Sequence, residues 1–255
     1  MTDTANTLSG ALLPLDLPER IIALRIQNTD SIRRHVFRRV DRPDVDAYYS
    51  AILIATQRSG QTSEDEIDVG TAEMKLYERA IVRVEGYFLS DRRNLMELPN
   101  WKTRVPGGHR ISATDMLMKV TKSVESGDGL LDPDYDVVSL DACWTERNEG
   151  QMDWYRGLLH RFTPPDISHW KKLNTYKTRS VAVGGSRSQR TIYPKLDGAL
   201  GDLYDELIVS VDGYSFKGNA LTDRETIIRE MDRFHKVSAV SSLFDRSGAD
   251  ASEAE

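Results

Sequence analysis

A single cysteine, Cys143, stands among the 255 residues. It excludes an intrachain disulfide and any cysteine-based metal cage, and it leaves a reducing cytoplasm as the expected compartment. No asparagine heads an Asn-x-Ser/Thr acceptor. No apolar run approaches the roughly 18 residues of a membrane-spanning helix, so no membrane partner is expected. The first twenty residues, MTDTANTLSGALLPLDLPER, lack a basic start ahead of their short apolar stretch, and a secretory signal is not expected. Catalytic signatures are missing as well. There is no Gly-x-Ser-x-Gly elbow, no Gly-Lys-Ser/Thr phosphate loop and no Gly-x-Gly-x-x-Gly fingerprint. The acidic runs Ser63-Glu-Asp-Glu66 and Asp132-Pro-Asp-Tyr-Asp136 lack the glycine-containing loop and closing glutamate of a calcium hand. They read as solvated loops.

Acid itself is absent from one stretch. Between Ile167 and Leu196 there is no Asp or Glu, while Lys171, Lys172, Lys177, Arg179, Arg187, Arg190 and Lys195 are basic, in a chain whose net charge is −6. Trp170, Tyr176 and Tyr193 are interleaved with these cations, the composition of a nucleic-acid surface. The acidity of the rest favours a negative patch on another protein as the counterpart, with nucleic acid second. We therefore take Trp170, Lys171, Lys172, Tyr176, Lys177, Arg179, Arg187 and Arg190 as the candidate partner-binding set. The Gly184-Gly185 turn beside Arg187 and Arg190 could offer amides to a phosphate, although a basic surface loop is the simpler reading. A second basic knot, SIRRHVFRRVDR, spans Ser31 to Arg42.

What is present twice is LYERAIVRVEGY, Leu76 to Tyr87, and LYDELIVSVDGY, Leu203 to Tyr214. Seven of the twelve positions are identical, at an offset of 127 (203 − 76). His109-Arg-Ile-Ser-Ala returns as His235-Lys-Val-Ser-Ala at an offset of 126 (235 − 109), and Leu117 or Leu243 closes each. Two matches at nearly one offset indicate an internal duplication. The unit reads as helix–loop–helix. Leu76, Ala80, Ile81 and Val84, like Leu203, Leu207, Ile208 and Val211, lie on one face of a 3.6-residue period, and Gly86 and Gly213 sit where a helix would end. The β-branched IVRV and IVSV are the competing strand reading. Thr222-Asp-Arg-Glu225 has the pattern of a capping box, opening a helix that carries Ile227, Ile228, Met231, Phe234, Val237 and Val240. Pro106 and a Gly pair open its counterpart.

Around these units, Phe37-Arg-Arg-Val-Asp41 can be set against Tyr193-Pro-Lys-Leu-Asp197, leaving Ala47 to Val69 as an inserted helix and acidic loop. Asp136 to Trp144 alternates like a strand. Gln151 to Arg161 reads as a short helix stopped by Thr-Pro-Pro. Val183 to Ser188 reads as a turn, and the small acidic residues after Asp245 as a disordered tail. Among the five histidines, His160 and His169 match no zinc spacing. His109 and His235 lack a matched nucleophile and read as capping or packing residues.

The expected fold class is thus α+β, mainly helical, in two related helix–loop–helix lobes, each with a short strand element. The expected division is an N-terminal arm over 1–30, a first lobe over 31–124, a connecting strand and helix segment over 125–174, a second lobe over 175–244 and an acidic tail over 245–255. No catalytic residue, metal or cofactor is expected, and the oligomeric state is left open.

The order of a basic strand, a Leu-Tyr helix ending Gly-Tyr, and a His-Arg or His-Lys helix with Ser-Ala resembles small accessory proteins of tailed-phage morphogenesis, tail-assembly chaperones especially. The resemblance covers 76–117 and 203–243; the first-lobe insert and the acidic tail depart from it. It implies a non-enzymatic cytoplasmic protein that holds a structural partner before assembly. An adaptor for nucleic acid, acting through 167–196, is the alternative.

Overall fold

The computed structural model describes residues 6–7, 11–26, 31–59, 69–118, 120–122, 132, 134–145, 152–176, 181–183, 190–192 and 196–250. In chain order the first half holds β1 (Asn6–Thr7), β2 (Leu13–Pro14), β3 (Glu19–Arg25), β4 (Ile32–Arg38), α1 (Arg42–Ser59), α2 (Val69–Ala80), β5 (Ile81–Glu85), α3 (Trp101–Arg104) and α4 (Gly107–Met118). The second half holds β6 (Val120–Lys122), β7 (Asp136–Thr145), β8 (Met152–Phe162), α5 (Ile167–Tyr176), β9 (Val181–Val183), β10 (Arg190–Ile192), α6 (Leu196–Leu207), β11 (Ile208–Asp212), β12 (Tyr214–Phe216), β13 (Asn219–Ala220), α7 (Arg224–Glu230) and α8 (Arg233–Asp250).

Two sheets, antiparallel except where β1 runs parallel to β8, carry two separate cores. In the first, β4 lies between β3 and β5, and α1, α2 and α4 cover one face around Ile22, Phe37, Leu76, Tyr77, Ile81 and Leu117. In the second, β8 lies between β7 and β11, covered by α6 and α8 around Leu140, Leu158, Phe162, Leu203, Tyr204 and Val240. The N-terminal segment crosses between them: β3 belongs to the first sheet, whereas β2 runs parallel to β12 and buries Leu13 and Leu15 in the second core. Phe234 of α8 reaches back to the first core.

The chain is therefore mixed rather than mainly helical, and no duplication of a helix–loop–helix unit is shown. The segments that share letters are helix–strand units: α2 passes into β5 at Ala80/Ile81, and α6 into β11 at Leu207/Ile208, with no loop between. A bulge explains why their periodicity reads as helical. Phe37 pairs with Ile81 but Val36 with Arg83, so Val82 is an extra residue. Likewise Phe162 pairs with Ile208 and Arg161 with Ser210, which makes Val209 extra. An inserted residue turns the two-residue period of a strand into a spacing of three. Ile81 and Val84, and Ile208 and Val211, are thus all buried on strands. Gly86 and Gly213 follow strands rather than helices, at φ +83° and +87°.

Other expectations need correction. Residues 152–161, expected in a helix, form most of β8, and Leu158, His160 and Phe162 are buried at every second position. β7 is a strand as expected, and both β7 and β8 contribute side chains to the second core. The helix expected from Thr222 is capped instead by Asp223, whose side chain accepts from Thr226 N, and it breaks at Met231 before α8 begins. Helix α8 continues to Asp250, into the segment expected to be a disordered tail. The acidic loop 60–68, the turn 184–189 and residues 193–195 lie outside the described residues; β9 and β10 on either side of the turn pair antiparallel. Among the described residues no helix is long and apolar enough to cross a membrane.

Two substitutions test this packing. Ile208→Ala removes a side chain only 1% exposed at the helix–strand junction and should lower unfolding free energy by about 2–5 kcal/mol. A Cβ at Gly213 would stand 2.8 Å from Leu158 Cδ2 at a positive φ, whereas one at Gly218 (φ +77°) would meet nothing within 4 Å. Gly213→Ala should therefore lower the urea midpoint clearly more than Gly218→Ala, which carries backbone strain alone, about 1 kcal/mol.

Candidate functional site: two buried histidine–tyrosine networks

Four of the five histidines are bonded to tyrosines in two networks of the same connectivity. In the first half, strand alternation places Arg33, His35 and Phe37 on one face of β4. His35 Nδ1 is 2.8 Å from the Tyr77 hydroxyl on α2, and its Nε2 is 3.0 Å from the Tyr87 hydroxyl just past β5. Tyr87 in turn lies 2.8 Å from His109 Nδ1 on α4. In the second half, His160 on β8 meets Tyr204 of α6 at 3.0 Å and Tyr214 of β12 at 2.9 Å, and Tyr214 meets His235 Nδ1 of α8 at 2.9 Å. Phe37 and Phe162 stack on the rings of His35 and His160.

Gly86 and Gly213 make the bridging tyrosines possible, since their left-handed backbone turns the chain from strand end to Tyr87 or Tyr214. Helix spacing does the rest: Leu76 and Tyr77, or Leu203 and Tyr204, are consecutive inward positions of an amphipathic helix.

Burial sets the protonation state. It pushes His35 down to about 3, helped by the charge of His109, and holds His160 well below its ordinary value, helped by His235. His235 is lowered to about 4 by burial, with Asp232 opposing and Arg20 adding to the shift. Burial and Arg33 lower His109. Burial likewise raises all four tyrosines. Neutral imidazoles and protonated phenols leave each network with one-way logic. If Tyr87 donates to His35, then His35 donates to Tyr77, and Tyr87 must accept from His109; reversing one bond reverses all three. An imidazole with both nitrogens on tyrosine hydroxyls has no free lone pair for acid–base work. The arrangement ties strand, helix, strand and helix together.

The candidate partner-binding residues fall elsewhere. Trp170 is half-buried and packs edge-on against Phe244, ring centroids 4.8 Å apart. Lys172 is paired with Glu206 of α6 at 2.6 Å, Lys171 is exposed, and Tyr176 ends α5. Arg190 opens β10; Lys177, Arg179 and Arg187 lie outside the described residues. The second basic knot finds acids within the chain. Arg38 makes a bidentate pair with fully buried Asp44, at 2.6 and 2.9 Å, and Arg79 joins from the other side at 2.9 Å. Burial opposes the charge of Asp44, but these donors and the Asp41 amide outweigh it and hold the carboxyl at about 2. Arg39 reaches Glu230 and Arg42 reaches Asp202, both across to the second half.

Between the halves lies a cleft lined by Leu15, Leu17, Arg20, Arg38, Arg39, Leu117, Glu230, Asp232 and Phe234. His169 sits near the start of α5, 2.7 Å from Asp166, whereas the His160 ring is bonded to Tyr204 and Tyr214. Among the described residues no three His, Cys, Asp or Glu side chains gather where they could hold a metal ion.

The sequence reading paired His109 with His235 but missed His35 and His160. Their signal was available: His-x-Phe at 35–37 and at 160–162 stands at an offset of 125 (160 − 35), close to the other two.

Removing a bridging hydroxyl should cost more than removing a terminal one. Tyr214→Phe leaves His160 Nε2 and His235 Nδ1 without their partner, and His235 Nε2 has no other. It should lower unfolding free energy by about 2–4 kcal/mol, against about 1–2 for Tyr204→Phe, each read from urea denaturation. Acidity should weaken the fold in a defined window. The histidines are neutral when folded but take up protons near 6.5 when unfolded, so their contribution is full above pH 6.5. It is lost as pH falls towards about 4 for His235 and about 3 for His35. A thermal midpoint unchanged between pH 7 and 5 would contradict this.

Set against known proteins, the chain matches no family model, no curated protein and no solved structure. Its function has to be read from its own residues.

Proposed function

We propose that this chain is a non-enzymatic protein-interaction factor of the reducing cytoplasm, of the phage-type structural or tail-assembly accessory kind. One observation carries the reading. The histidines and tyrosines best suited to acid–base chemistry are bonded to one another inside two cores, where burial holds them in their uncharged forms. Contact chemistry, by comparison, is on the surface. On α5, Ile167 is 73% exposed and Lys171 is exposed one helical turn later, on the same face. An apolar side chain beside a cation suits an acidic protein surface with an apolar pocket.

A pull-down with the full chain from host lysate, with and without nuclease, tests this reading. The expected result is recovery of an abundant structural protein that resists nuclease and is lost with Ile167→Asp or Lys171→Glu, neither of which removes a buried contact. Recovery of nucleic acid alone, abolished by nuclease, would establish the adaptor reading instead. Its binding would weaken linearly in log–log salt, as counterion release requires.

A further inference from the structure

The segment ahead of β3 is seated away from its own sheet. Three residues, Asp16, Leu17 and Pro18, separate Leu15 in the second core from β3 in the first. Its seat is a parallel strand addition to β12: Leu13 N donates to Gly213 O at 2.8 Å and Leu15 N to Ser215 O at 2.9 Å. Leu13 is fully buried and Leu15 is 6% exposed, so two alternate side chains fill apolar space while the backbone supplies register. Parallel neighbours are never joined by a tight turn, so nothing in this pairing requires that the strand come from the same copy.

The connection bears this out. Leu12 and Leu17, which flank the seated pair, are 42% and 38% exposed. Leu15, Leu17 and Arg20 form one wall of the cleft between the halves, so the hinge runs beside open space rather than packed atoms. Pro18 has a fixed φ and no amide to anchor. A short hinge between two firmly seated elements is the setting in which an element exchanges between protomers. Every copy carries the same strand and the same seat, so a second copy's strand fits with the same bonds.

We propose that residues 11–15 are an exchangeable strand, which in an arm-exchanged dimer of this chain places Leu13 and Leu15 of each copy against Tyr214 and Ser215 of the other. The exchange is reciprocal, and opening of the hinge lets Leu17 be covered where the two hinges pass.

The test uses two full-length versions of different mass, mixed at high concentration, warmed below the unfolding midpoint and examined by light scattering and native mass spectrometry. The expected result is a slowly formed dimer that includes the mixed species. Inserting Gly-Ser-Gly-Ser between Asp16 and Leu17 leaves seat and strand intact but lets the arm fold back freely, and should weaken dimerisation by about tenfold or more. Leu13→Asp should abolish the dimer; if that variant fails to fold, the hinge insertion decides by itself. A chain that stays monomeric throughout, or a dimer indifferent to the insertion, would overturn the proposal.

Discussion

A phenol hydroxyl set between two imidazoles satisfies both when it gives its one proton to one ring and accepts from an N–H of the other. Tyr87 and Tyr214 occupy that position. Much of the architecture follows from it. The bridging tyrosine must leave a strand end abruptly, hence a glycine at positive φ before it. The histidine on the central strand must face the helix layer, which fixes the register of β4 and β8. The second tyrosine must project from a helix packed flat on that strand, and the second histidine from a further helix beside it. Each network therefore joins elements whose order along the chain does not place them together. A half-satisfied network in a dry core is worse than none, so these distances are tightly specified.

The two cores are held to each other by different means. Arg39 and Glu230, with the Glu230 carboxyl kept low by Arg229 and then Arg39, cross the junction on one side, and Arg42 and Asp202 on another. Apolar contact comes from Phe234 of α8 and from the strand that carries Leu13 and Leu15 across. Exposed ion pairs of this kind contribute at most about 1 kcal/mol each, so the crossing strand and Phe234 are the firmer links. Within the first half, the Asp44 carboxylate between Arg38 and Arg79 joins β4, α1 and α2 with full burial of the acid. Losing either arginine would leave a buried charge short of a partner.

Much of the interior was legible. Leu76, Ile81, Val84, Leu203, Ile208 and Val211 are all buried as their shared letters implied. So was the strand at 136–144 and the helical character around His109 and His235. What misled was the bulge. Leu76 to Val84 runs across a helix–strand junction, and the extra residue at Val82 keeps Ile81 and Val84 on one side, as a continuing helix would. β8 was hidden for another reason: its buried positions, Leu158, His160 and Phe162, include a polar residue that no hydrophobic period counts.

By itself the sequence determined the apolar positions, the glycines that allow left-handed turns, and the absence of several catalytic and metal motifs. These are properties of single residues and of short spacings, set by side-chain chemistry and backbone sterics. Only the tertiary structure decided that His35 and His160 are network members, because their bonds to tyrosine join positions 42 to 54 apart. It also decided that Leu13 and Leu15 belong to the far core and that Arg34, Arg38, Arg39 and Arg42 face acids of their own chain. A hydrogen bond or ion pair depends on distance in space, and local periodicity carries no measure of that distance.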